Sequence, residues 1–143
     1  MRFEPDIIVK NAAEPYASLV VEAKTHVPNL GETEARLKEY MVIMHVPIGA
    51  LITPDRLRLY RDFYTTPVGD SVRRIGDYSI TALWRQSPPA EPARFEAFVQ
   101  RWLEDLPKHR GAAFTKELND ALRDYVLPAI ESGDVQAAHP RNL

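Results

Sequence analysis

Through residue 80 the apolar residues of this chain come in short, mostly β-branched runs cut apart by Pro, Asn and Gly, and beyond residue 90 they recur at helical spacing. Such a pattern closes one core as strands with helices laid over them, an α/β domain. Ile7-Ile8-Val9 is the first run, closed by the Lys10-Asn11 turn. Ser18 to Lys24 is the second. Its centre is apolar on successive residues, as in a strand covered on both faces, and at its end Glu22 and Lys24 alternate with Ala23 and so share a face. From Gly31 to His45 the residues Leu37, Tyr40, Met41 and Met44 stand at i, i+3, i+4 and i+7, which predicts an amphipathic helix ended by Pro47. Ile48 to Thr53 predicts a buried strand and Leu57 to Phe63 a half-exposed one. Val72 to Ile80 returns to make a hairpin about Pro67-Val68-Gly69-Asp70. Phe95, Phe98, Val99, Trp102, Leu103 and Leu106 form the clearest helical stripe, opened by Pro92. Phe114, Leu118, Leu122, Tyr125 and Val126 form another, bent or ended by Pro128. The expected architecture is one domain over 1–136. Its sheet core, a mixed sheet of about four or five strands with one helix, fills 1–82, its C-terminal helices fill 90–133, and 137–143 are a frayed tail.

Composition narrows the function classes. Eighteen basic against twenty acidic residues give a net charge of −2, so no global field draws the chain to a nucleic acid, and such binding has to come from a local patch. Arg56, Arg58 and Arg61 are the nearest thing to one, with Tyr60 or Tyr64 available to stack on bases; a solvated hairpin face explains them equally well. The absence of Cys excludes thiolate zinc sites and Cys nucleophiles. It also agrees with the cytoplasmic location suggested by the acids and Pro in Met1 to Asp6. No apolar run approaches the roughly 20 residues needed to span a bilayer, so no membrane partner is expected. Neither a phosphate-cradling Gly loop nor a serine-nucleophile motif is present. His26, His45, His109 and His139 lack ligand spacing and read as surface or packed residues, His26 being the one that could extend the Lys24 strand face.

Three charges stand where charge is not expected: Asp6 at the opening of an apolar strand, and Glu22 and Lys24 at the end of another. A buried carboxylate is costly unless a cation compensates it, and a divalent metal between two of them is an economical solution. Asp6 and Glu22 form that pair if their strands are neighbours, with Lys24 pointing into the same space; Glu4 is a candidate auxiliary ligand. The plainer alternative makes Glu22 and Lys24 a surface pair and Asp6 a turn residue.

Pro5-Asp6, fifteen residues, then Glu22-Ala23-Lys24, an amphipathic helix and another strand resemble the PD-(D/E)xK nuclease superfamily, most of all the nuclease domains of type I restriction-enzyme motor subunits. The likeness covers about the first 60 residues. A second Pro-Asp, Pro54-Asp55, has no Glu-x-Lys after it and reads as a turn. The resemblance implies a restriction-endonuclease-like fold and a Mg²⁺-dependent endonuclease acting on DNA in restriction, phage defence or repair, with Mn²⁺ as a substitute. Asp6, Glu22 and the Ala23 carbonyl would bind the metal, and Lys24 would complete the catalytic set with Asp6 and Glu22. Arg36, Tyr40, Arg56 and Arg58 are candidate nucleic-acid contacts; Arg36 stands where many members carry Gln, and it also pairs with Glu32 at i, i+4. The family core begins with a helix and a strand ahead of the Asp strand. Here those elements would come from a partner subunit, from self-association or from the chain's own C-terminal helices. The alternative function is a non-catalytic nuclease-fold module that binds DNA or a protein.

Overall fold

The structure is a computed structural model, and it describes residues 4–84, 86–108 and 114–141. His109 and the last two residues of the expected tail lie outside them.

Six strands form one mixed sheet: β1 (Ile7–Lys10), β2 (Leu19–Ala23), β3 (Ile48–Ile52), β4 (Arg56–Asp62), β5 (Val72–Ser79) and β6 (Asp134–Ala137), in the order β5-β4-β3-β2-β1-β6. Helix α1 (Leu30–Ile43) carries the chain from β2 to β3, the one parallel pair. The N–H of Glu32 is capped by the Asn29 side chain, and α1 buries Leu37 and Met41 against the sheet. Contact is closest at Gly49, where a Cβ would meet the Met41 Sδ at 2.6 Å, so the small residue in β3 sets the depth at which the helix sits. Met44, which the periodicity assigned to the apolar stripe, is the residue at which α1 stops, and it is exposed.

On the other face lie α2 (Pro92–Asp105) and a bent helical segment over 116–132, made of α3 (Lys116–Ala121), a π-helical turn (Leu122–Val126) and α4 (Leu127–Ser132). The bend has a cause in Pro128, which cannot donate a helical hydrogen bond. Phe95, Val99 and Leu103 of α2 join Leu118, Leu122 and Val126 in a core with Ile7, Val21 and Ile52 of the sheet. Val20, Leu51 and Tyr60 point the opposite way, into the α1 core. Every residue of β2 is therefore buried, as its unbroken apolar run predicts.

The C-terminal end departs from expectation. The expected frayed tail, 137–143, begins inside a strand: β6 runs antiparallel to β1, with Ile7 opposite Ala137, and the Ala138 N–H donates to the Asp6 carbonyl at 3.0 Å. The sheet thus has six strands where about four or five were expected. The added strand covers the β1 edge, whose N–H and C=O groups would otherwise lack partners. Helix α2 packs against both β6 and β2. None of the helices among the described residues is long and apolar enough to cross a membrane.

Candidate metal centre

Ile7 pairs with Val21, so Asp6, one residue earlier, falls opposite Glu22 at the sheet end where β1 begins and β2 and β6 finish. Asp6 Oδ2 accepts the Ala23 N–H at 2.8 Å, which fixes the carboxylate against the end of β2. The Lys24 N–H donates to the Ile52 carbonyl at 2.9 Å and ties the next residue to β3. Both carboxylates are then served by one ammonium: Lys24 Nζ lies 3.2 Å from Asp6 Oδ2 and 3.5 Å from Glu22 Oε2. The two acidic side chains are 3% exposed and that of Lys24 is 39% exposed, so the charge cluster opens to solvent on the lysine side. The other Glu22 oxygen, Oε1, is buried without a hydrogen-bond partner among the described residues. A buried carboxyl oxygen of this kind is costly unless a proton or a cation compensates it.

The electrostatics follow from this crowding. Burial, and then the Asp6 charge, push the Glu22 carboxyl up to about 8 against the pull of Lys24. For Lys24 burial acts downward, but Glu22 and Asp6 outweigh it and hold the ammonium above its ordinary value.

Two groups that the sequence reading passed over complete the cluster. Glu96, in the second turn of α2, and His139, two residues past β6, bring Glu96 Oε1 and Asp6 Oδ1 to 3.8 and 3.5 Å from His139 Nε2. Arg141 Nε donates to Glu96 Oε1 at 3.4 Å. Asp6, Glu96 and His139 each offer a ligand atom, all within 4.8 Å of one another. Burial raises the Glu96 carboxyl, helped by Asp6, and the hydrogen bond to the Pro140 carbonyl raises His139, as do Asp6 and Glu96.

The other expected residues are elsewhere. Glu4 is exposed and His26 follows the end of β2 as an exposed residue, so neither extends the strand face. His45 is also exposed, in a left-handed conformation beside the Tyr16 ring. Arg36 forms the i, i+4 pair with Glu32 on an exposed turn of α1, the plainer of its two readings. Tyr40 is half-buried against the α1 core, where burial raises its hydroxyl pKa. Arg56 and Arg58 converge on one carboxylate, Asp77: Arg56 Nη2 lies 2.7 Å from Oδ1 and Arg58 Nε 3.4 Å from Oδ2. Arg58 and Asp77 are directly opposite in the β4–β5 register. A separate open groove of about 540 Å³ runs between α1 and the chain leading into β5, lined by Glu34, Lys38, Arg73 and Arg74 among others, and it shares no residue with the carboxylate cluster.

No family model, curated protein or solved structure matches this chain. The functional reading therefore rests on the cluster itself.

Proposed function

We propose that this chain is a divalent-cation-dependent endonuclease that hydrolyses DNA phosphodiesters. The observation that carries the reading is the apposition of Asp6 and Glu22 across the β1–β2 pair, with Lys24 between their carboxylates and Glu22 Oε1 unpartnered. Two acids buried this deeply at a sheet end have no packing role that an apolar residue would not fill better. Asp6, Glu22 and the Ala23 carbonyl would hold Mg²⁺. The cation would acidify an attacking water and neutralise charge on the phosphoryl oxygens.

The chain's own residues do the rest. Asp6 is oriented by the Ala23 N–H, so the carboxylate does not have to be fixed when a ligand arrives. Lys24, held above its ordinary pKa by two carboxylates, is an ammonium at neutral pH and acts as a donor and fixed positive charge rather than as a base. Its partly exposed side would let that charge meet a phosphate oxygen as it gains charge in the transition state. The PD-(D/E)xK resemblance calls for a helix and a strand beside the Asp strand. Candidates for them within this chain are α2, packed on one face of the sheet against β2 and β6, and β6, on the edge of β1 away from β2.

One observation favours the non-catalytic module: Arg56 and Arg58, the expected phosphate contacts, are both engaged by Asp77. A plasmid assay separates the readings. Supercoiled DNA is expected to be nicked by the wild type with Mg²⁺ and not with EDTA, and not by Asp6→Ala or Glu22→Ala. Nicking that survives either substitution, or a folded wild type inert with both Mg²⁺ and Mn²⁺, would contradict the endonuclease.

A further inference from the structure

The C-terminal segment reaches the cluster with an imidazole whose orientation is already set. His139 Nδ1 lies 3.1 Å from the Pro140 carbonyl oxygen. That oxygen can only accept, so Nδ1 carries the hydrogen and Nε2 is the nitrogen turned toward the acids. Nε2 faces Asp6 Oδ1 at 3.5 Å and Glu96 Oε1 at 3.8 Å, both beyond good hydrogen-bond length. Neighbouring ligands of an octahedral cation stand roughly 3 Å apart and opposite ones roughly 4 Å, given bonds near 2.1 Å. Three ligand atoms within 4.8 Å of one another need only a small contraction to meet that geometry. The outer contacts are also those of a metal site: a carbonyl holds the far nitrogen of the imidazole and Arg141 holds the Glu96 carboxylate. Glu22, its side chain 3% exposed and its Oε1 unpartnered among the described residues, stands opposite Asp6 in the β1–β2 register and shares the Lys24 ammonium with it, so a buried carboxyl with an unused oxygen borders the donor set.

We propose that Asp6, Glu96 and His139 ligate a divalent cation, so that the segment after β6 completes the metal centre and gives it a nitrogen ligand. The inference rests on the metal reading above and adds to it a cation preference. An imidazole suits first-row transition cations, whereas Mg²⁺ wants oxygen. Mn²⁺ is therefore held through His139, and Mg²⁺ gains little from it. Removal of the imidazole leaves the sheet intact, because His139 lies beyond β6 and its side chain is 30% exposed.

Calorimetric titration of Mn²⁺ and of Mg²⁺ into wild type, His139→Ala and Glu96→Gln tests this, with thermal melts confirming that each variant is folded. Both variants are expected to weaken Mn²⁺ binding at least about tenfold or to lose a bound Mn²⁺, the size seen when a metal's ligand environment is broken. His139→Ala is expected to change Mg²⁺ binding far less. In the wild type, Mn²⁺ should also broaden the His139 imidazole resonances selectively. If wild-type Mn²⁺ binding requires Asp6 and Glu22 but is unaltered in His139→Ala and Glu96→Gln, His139 is an imidazolium bridging two acids and this inference alone is overturned. A folded wild type that binds neither cation overturns the metal reading with it.

Discussion

Lys24→Met is expected to lower the Mg²⁺-dependent nicking rate by about two to three orders of magnitude, the size of effect that follows loss of one preorganised charge stabiliser in a hydrolytic site. Met keeps the length of the stem and removes the ammonium that lies between Asp6 and Glu22. The same change has a second consequence. Without the ammonium the buried Asp6 carboxylate loses its compensating charge beside the Glu22 carboxyl, so the metal-free variant is expected to be less stable than the wild type by about 1–3 kcal/mol, given that Lys24 is 39% exposed and partly screened. Saturating Mg²⁺ supplies the missing positive charge and should restore much of that stability without restoring the rate. Paired melts and nicking assays with and without Mg²⁺ read both effects. A variant that nicks at the wild-type rate would remove Lys24 from the catalytic account.

The largest stability effect is expected at Glu22. Its carboxyl titrates near 4.5 in the unfolded chain and is pushed up to about 8 in the folded one by burial and by Asp6. Between those values the native state keeps a proton that the unfolded state has lost. Stability of the metal-free protein therefore falls as pH rises through this window, by up to about 1.4 kcal/mol per pH unit. Across the window the loss is on the order of a few kcal/mol. Glu22→Gln carries a neutral isostere through the same range, so its stability should be nearly flat there: close to wild type at pH 5 and higher at pH 8. Metal reverses the preference, since a cation needs the carboxylate. Mg²⁺ at pH 8 should stabilise the wild type and leave Glu22→Gln unchanged. Urea melts at the two pH values, with and without Mg²⁺, give the four stabilities; equal pH dependence in the two proteins would mean that Glu22 is not held protonated.

Much of this arrangement is written locally in the sequence. The unbroken apolar centre of β2 marks a strand buried on both faces, and the period-two step from Glu22 to Lys24 puts both charges on one side of it. The stripes of α1 and α2 mark their buried faces for the same reason, although Met44 shows that periodicity does not say where a helix stops. What sequence reading lost depends on pairing between distant segments. The β6 residues Asp134-Val135-Gln136-Ala137 have no apolar run because the strand lies at a sheet edge and is mostly exposed. Only its ladder with β1 makes it a strand. With β6 unseen, His139 was a residue in a patternless tail and Glu96 a charge on the polar flank of an amphipathic helix. The pairing of Arg56 and Arg58 with Asp77 escaped for a narrower reason: the hairpin was legible, but its register, which sets Asp77 opposite Arg58, was not.

The central claim is that Asp6 and Glu22 form a cation site, and calorimetric titration of Mg²⁺ and Mn²⁺ into the wild type and an Asp6→Ala, Glu22→Ala double variant tests it most directly. The wild type is expected to bind both cations, and the double variant, folded and free of two buried acids, is expected to bind neither. A well-folded wild type that takes up neither cation, or a double variant that binds them as the wild type does, would contradict the account.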